Sequence, residues 1–396
     1  MIRVTTVENA LRNHLTRELH RWIELGELIA YAAITSSTVE TKIALGTVLH
    51  DVSLAIGAVL TRARHIDVEL IFEEERRLVQ TRLETAEPVV SDVPSLIHHL
   101  QRELASPVPL APFDDDQLLG CLDQPTRDLA QFLSAANAKI QTAIEALPAQ
   151  ERLSGSTSSA IRWPGPIALP KAPGRAPCFT MGNSSVGSTQ GPQTPTENHE
   201  LAIRFHRTLM SLEIPTIEAC AQNILDRHPY AYDFYRDIAK QSYDEARHAA
   251  AFIIALKEVG YSVGDFPISV DLWELTHEHP LPLRLAIHQR IGETIGFHSA
   301  LWWSEHLESN DNPRLSALYD IIFREEISHV ERGNYWLRRF CYDDDAGIAE
   351  IVEQAYAVRM NQTGNVIDGQ KKYPWNVDAM RKAGYTAEEV SEHLSR

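Results

Sequence analysis

Apolar residues recur at three- and four-residue spacing along most of the chain, the period of helices buried along one face. Val7, Leu11, Leu15, Leu19, Trp22 and Ile23 open the pattern. A second helix is expected from about 39 to 64, with Ile43, Val48, Val52, Ile56 and Val59 turned toward a core. Helical spacing continues over about 67–84 behind a charged face, then near 91–104 and 114–146. Pro107, Pro109 and Pro112 separate the last two. Residues 151–196 break the pattern. They are rich in Pro, Gly and Ser, and cannot form a long helix or a central strand. Trp163, Ile167, Leu169 and Phe179 favour an extended segment packed across a surface over a free linker.

The helical period resumes beyond 196. Glu197 and Glu200 suit the positive end of a helix running to about 227, where His228-Pro229 breaks it. The next runs from about 232 to 259, with Gly260 as its stop. A crossover of about twenty residues leads to a third helix over about 283–307. The sequence SNDNP then turns the chain into a fourth, over about 314–340. A further helix (about 347–360) and a tail complete the chain. Two hairpins joined by one long connection are the topology of ferritin-like bundles. The expected architecture is all-α. It comprises a helical accessory domain (1–150), a linker (151–196), a ferritin-like four-helix bundle (197–341), and a C-terminal helix and tail packed on the bundle (342–396).

Composition narrows the function classes. A net charge of −17 over 396 residues argues against a broad nucleic-acid surface, which needs clustered Lys and Arg. The four cysteines form no C-x-x-C pair, so neither a zinc knuckle nor a disulfide framework is expected. No uninterrupted apolar run reaches the length of a membrane span, and the N-terminus lacks a signal-peptide core. A cytoplasmic protein without a membrane partner is the expectation.

The chemistry lies in a repeat. Glu245-Ala-Arg-His248 and Glu326-Ile-Ser-His329 are both Glu-x-x-His. On a helix, residues i and i+3 share a face, so each motif aims a carboxylate and an imidazole one way. Two such motifs, with one Glu from each of two further helices, form the ligand set of a dinuclear carboxylate site. Six histidines in the first hundred residues (His14, His20, His50, His65, His98, His99) lack such company and are expected to be ordinary.

Turn positions select the remaining two ligands. In an antiparallel hairpin, residues at one height lie equally far from the turn. Glu213 stands 16 residues before Pro229 and Glu245 stands 16 after it. Glu218 misses that height by five residues, about 7.5 Å of helix rise. In the second hairpin the midpoint of Glu293 and Glu326 falls within SNDNP, whereas Glu305 would sit too near the turn. Glu218, Glu258, Glu305 and Glu325 are therefore expected to be solvated or supporting groups. A Glu in the apolar stretch around Glu293 is costly to bury without a cation. Four Glu and two neutral His carry a charge of −4, which two divalent ions cancel. Oxygen and nitrogen donors without thiolate suit two iron ions, with manganese as the alternative.

Neighbouring residues are candidates for a pocket or supporting shell. Gly292 and Gly296 flank Glu293 and either open space or permit close helix packing. Thr216 and Phe297 lie one turn beyond Glu213 and Glu293. Asp244 adjoins Glu245 and is placed to orient a ligand histidine. His206, Tyr243, Trp302 and Trp303 are expected to serve packing.

The stretches SLEIPTIEAC, YDFYRDIAKQSYDEARHAAAFIIALKEVGY and REEISHVERGNYW, with the tail PWNVDAMRKAGYTAEEV, resemble a ferritin-like family of uncharacterised function placed beside tRNA-modifying di-iron hydroxylases. The resemblance spans roughly 196–395 and implies a dinuclear site on Glu213, Glu245, His248, Glu293, Glu326 and His329. The expected activity is a di-iron oxygenase or oxidase that uses dioxygen to hydroxylate or N-oxidise a small organic substrate, with an electron donor and, in its assembly, a homodimer left open. The rivals are tRNA hydroxylation, iron or peroxide handling, and a metal-stabilised interaction protein without catalysis.

Overall fold

The computed structural model describes residues 4–68, 70, 93–106, 108, 111–112, 121–148, 170–182, 197–226, 231–363 and 375–395. Helix is the regular structure throughout these residues, apart from one isolated parallel bridge between Met181 and Ile268. The chain is all-α. The expected helix over 67–84, the start of that over 114–146, the His228-Pro229 break and Trp163, Ile167 and Leu169 lie essentially outside the described residues.

Among the described residues four helices come first: α1 (Val4–Thr35), α2 (Val39–His65), α3 (Val93–Ala105) and α4 (Gln124–Glu145). After residue 196, α5 (Glu197–Thr208) passes through a π-helical segment (Leu209–Glu213) into α6 (Ile214–Leu225), and α7 (Ala231–Glu258) follows. Gly260 ends that run at φ +90°, a backbone setting that favours glycine. A short α8 (Asp271–Thr276) precedes α9 (Leu281–Leu285), a second π-helical segment (Ala286–Gly292) and α10 (Glu293–Ser309). The chain closes with α11 (Pro313–Phe340), α12 (Asp345–Thr363), α13 (Val377–Lys382) and α14 (Ala387–Ser395).

Compactness divides the chain into two units, and the cuts fall inside the continuous helices α6 and α7. The first unit comprises residues Met1–Phe179 with Thr216–Arg247, and the second comprises Thr180–Pro215 with His248–Arg396. The first unit thus groups the N-terminal helices with parts of α6 and α7.

Three glycines explain the first unit. A Cβ on Gly26 of α1 would lie 2.1 Å from Tyr235 Oη, and one on Gly57 of α2 would lie 1.8 Å from Tyr232 Oη. At Gly46 it would press on Ile217 and Ser242. The two helices are thus notched to receive side chains of α6 and α7. Gly26→Ala is expected to cost about 1–3 kcal/mol through overpacking. Tyr235→Phe in the same chain should return part of that loss, as a double-mutant cycle on unfolding would read.

Beneath the notches lies a buried ion cluster. Lys42 Nζ is 2.9 Å from Glu218 Oε1, and Arg175 Nη2 donates to Glu218 Oε2 at 2.9 Å. Lys42 also donates to the Ala33 and Ile34 carbonyls at 2.9 and 2.8 Å, closing the last turn of α1. By length and composition α2 could cross a membrane, but half of its most apolar stretch is buried inside the protein. With Lys42 paired in its interior, it is a core helix. Residues 170–182 contain no helix. Gly174 N–H donates to Ile34 O at 2.9 Å, in a gap where a Cβ would strike Thr35 O.

The second unit is centred on the α10–α11 hairpin. Asn312 caps α11 through Leu315 N–H, with Pro313 in its first turn. Ser304 on α10 donates to Ser316 O on α11 at 3.0 Å. Leu283, Ile287 and Ile291 pack with Leu337 and Ile348 on one side. On another, the tail lays Met380, Ala383 and Tyr385 over Phe297 and Val330. Tyr385 Oη donates to Arg290 O at 2.9 Å, and Arg290 Nη2 meets Glu389 at 2.9 Å.

His206 is core, as expected. Gly264 N–H donates to its Nε2 at 3.0 Å, Phe266 meets the ring edge-on, and burial pushes its pKa down to about 4. Below its ordinary value near 6.5 the unfolded chain takes up a proton that the folded chain refuses. Stability should therefore fall as pH drops from 6.5 toward 4, by up to about 3 kcal/mol from this residue. Denaturant midpoints across that window should show a shallower slope in His206→Gln.

Candidate metal centre

The π segments sit at the two lone glutamates. An α-helix closes each turn with an i→i+4 bond and a π turn with i→i+5, so one extra residue is inserted locally. Such bulges concentrate at functional sites. Here the first ends on Glu213, and the second ends immediately before Glu293. Glu245 and His248 lie one turn apart on the continuous helix α7, and Glu326 and His329 one turn apart on α11.

Ligand atoms of Glu213, Glu245, His248 and Glu326 all lie within 4.8 Å of one another. Those of Glu245, Glu293, Glu326 and His329 do the same. The six residues are all buried, none more than 8% exposed. Glu245 and Glu326 belong to both groups. Among the described residues no other set of three or more His, Cys, Asp or Glu converges in this way. The six histidines of the first hundred residues form no such group. His50, for instance, lies tilted against Tyr243 with ring centroids 5.3 Å apart.

The imidazoles enter with a defined polarity. His248 Nδ1 lies 3.4 Å from Glu213 Oε2 and 3.7 Å from Glu326 Oε1. Its Nε2 lies 2.8 Å from Glu325 Oε2. A carboxylate accepts only, so Nε2–H donates to Glu325, and Nδ1 faces the Glu213 and Glu326 carboxylates. His329 Nδ1 is 3.0 Å from Glu326 Oε2, and the two rings stand 6.3 Å apart. Glu325 thus does for His248 what was expected of Asp244. Both residues immediately precede the Glu of their motif. Asp244 itself binds Lys240 at 2.5 Å and Arg247 at 2.5 Å on its own helix.

Sequence reasoning passed over His288 and Arg359. His288 Nε2 lies 3.1 Å from Glu293 Oε1. Five residues apart, the two would diverge on an α-helix. The π turn brings them to one face. Arg359 of α12 donates to Ile287 O at 3.0 Å, and burial lowers its pKa to about 10 while the Tyr356 and Glu293 charges oppose that shift. No spacing in the sequence links α12 to α10.

The other candidates separate cleanly. A Cβ on Gly296 would meet only Glu293 Oε2, at 3.6 Å, so Gly296 leaves open space beside that carboxylate. At Gly292 it would touch Arg359 Nη1 at 3.4 Å. Thr216 is buried on α6, and Phe297 is buried against Val330 and the tail. Glu218 is not solvated as expected, because Lys42 and Arg175 hold it inside the fold. Glu258 pairs with Arg314 on the surface, at 2.8 Å. Glu305 is exposed.

Gly333 sets the spacing of the helices around the second group. It lies one turn beyond His329, and a Cβ there would come within 2.4 Å of Gln289 Cβ and 3.3 Å of its backbone. The obstacle is the π segment itself, which cannot swing aside. Gly333→Ala should lower stability by about 1–3 kcal/mol and displace Glu293 from His329. The check is a paired measurement of melting temperature and bound metal, both of which should fall.

The donor set fits two divalent cations. Four carboxylates gathered out of water repel one another and lose solvation, and cations at the two shared-edge groups relieve both costs. Carboxylate and imidazole donors without thiolate are the company of iron or manganese.

Comparison with known proteins adds little chemistry. The family described as "Protein of unknown function (DUF455)" matches residues 132–391, about two thirds of the chain. An uncharacterized protein of Haemophilus influenzae is 30% identical over 105 residues. That stretch is 26% of this chain and 36% of the relative, so the match spans about a third of the relative's length. No solved structure matches the chain.

Proposed function

Because the chain belongs to this family of unknown function, we propose its activity from the site alone: a di-iron oxygenase or oxidase acting on a small organic substrate. In this reading α5–α6, α7, α10 and α11, with the crossover over 259–280, form a ferritin-like four-helix bundle around the two metals. The observation that carries it is the sharing of Glu245 and Glu326 between two four-residue groups. A single-metal site has no use for two overlapping donor sets.

In this reading Glu213, Glu245, His248 and Glu326 would hold one metal and Glu245, Glu293, Glu326 and His329 the other. When bound, the iron pair supplies dioxygen activation, with an external donor providing electrons. The chain's own residues supply placement. Glu325 holds His248 Nε2 at 2.8 Å and so orients the ring. Gly296 keeps a face of Glu293 clear. His288 holds Glu293 Oε1 at hydrogen-bond distance and so orients that carboxylate.

The test is anaerobic loading with ferrous iron, followed by air and a panel of small amines and alkanes. The proposal expects about two irons per chain, oxygen-dependent loss of the ferrous signal, and an oxygenated or N-oxidised product. If metal removal lowers stability while oxygen leaves bound ferrous iron unchanged, the metals are structural and the reading is wrong.

A further inference from the structure

The two donor groups share Glu245 and Glu326, but residues of opposite charge support them from outside. At the first group the support is an acceptor. Glu325 Oε2 lies 2.8 Å from His248 Nε2. An imidazole hydrogen-bonded to a carboxylate becomes a more basic donor, and the carboxylate adds negative charge beside the ion that the ring holds.

At the second group the support comes from donors. His288 Nε2 lies 3.1 Å from Glu293 Oε1. Arg359 of α12 reaches over the end of the π segment. Its Nη1 is 3.0 Å from Ile287 O and 3.4 Å from the place of a Cβ on Gly292, the residue before Glu293. Arg359 Nε is sealed from solvent, and a pKa of about 10 leaves the guanidinium charged at neutral pH. The Glu293 charge acts on that guanidinium. A metal ion at Glu293 must therefore compete with a positive charge already present, and a protein interior screens that competition poorly.

Resting on the dinuclear reading above, we propose that the two metal positions are unequal. The group of Glu213, Glu245, His248 and Glu326 takes the first divalent cation. The group of Glu245, Glu293, Glu326 and His329 takes the second more weakly. Glu325 and Arg359 are the positioning residues that set the difference. Repulsion between two like ions separates the binding steps in any dinuclear site, so the distinguishing result is the direction in which each supporting residue moves its own step.

The metal-free full chain should be titrated with manganese(II) alone at neutral pH, following heat and electron paramagnetic resonance. The first equivalent should give the spectrum of isolated ions, and the second should convert it to that of coupled pairs. Glu293→Ala should keep the tight step and lose the weak one, whereas Glu213→Ala should lose the tight step. Glu325→Gln, at a part-exposed position, should weaken the first step about tenfold and leave the second nearly unchanged. Arg359→Gln should tighten the second step about tenfold, the reverse of what loss of a merely structural arginine would do, and Arg359→Lys should stay close to wild type. Glu325→Gln decides the matter even where Arg359→Gln does not fold. An unchanged first step in Glu325→Gln, a second step weakened in Arg359→Gln, or loss of the tight step from Glu293→Ala would overturn the proposal and leave the dinuclear reading standing. Failure of the wild-type chain to bind about two manganese ions would overturn both.

Discussion

Glu326→Ala is expected to strip the chain of nearly all its metal, whereas Glu305→Ala should keep the wild-type content. Glu326 stands in both four-residue groups, so its loss removes a donor from each metal at once. Glu245→Ala should behave the same way. Glu213 and Glu293 each stand in one group, so Glu213→Ala and Glu293→Ala should lose about half of the iron under limiting metal. Glu305 is exposed and belongs to neither group. Elemental analysis of protein loaded anaerobically and then desalted reads all five variants. Equal loss from Glu293→Ala and Glu305→Ala, or loss confined to the latter, would sink the assignment.

Lys42→Met should be the most destabilising single change in the first unit, at about 3 kcal/mol. Removing one member of a buried ion pair leaves the other charge uncompensated, at a typical cost of 3–5 kcal/mol. Arg175 still faces Glu218, which argues for the lower end. Two carbonyls at the end of α1 lose their donor as well. Adding Glu218→Leu should recover part of the loss, because the stranded carboxylate goes with it. A thermal midpoint in Lys42→Met within experimental error of wild type would refute this account.

Much of this architecture was legible in the sequence. The period of apolar residues located α2, α7, α10 and α11, because each buries one stripe along several turns. Counting residues from the turns chose Glu213 and Glu293 over Glu218 and Glu305. The cluster gathers the former pair and leaves the latter outside. Tertiary partners were not legible. Nothing local to Gly26 or Gly57 announces that a tyrosine from α7 will fill the gap. Glu218 read only as a solvated or supporting group because its cations, Lys42 and Arg175, come from distant segments. His288 escaped because helical face rules assume 3.6 residues per turn, and the segment holding it follows another count.

That other count has an evolutionary reading. A π turn is what remains when one residue is inserted into an α-helix and the chain downstream keeps its place. Deleting one residue between Ala286 and Ile291 should restore regular winding without moving Glu293, Glu326 or His329. What would turn is the upstream arm, Leu281–Leu285, by about 100°. Leu283 would leave its cluster with Leu337 and Ile348. The extra residue is therefore a phase adjuster between two demands on one helix, a donor face at Glu293 and an apolar face five to ten residues earlier. A relative lacking it should carry a compensating shift in the apolar positions of α9.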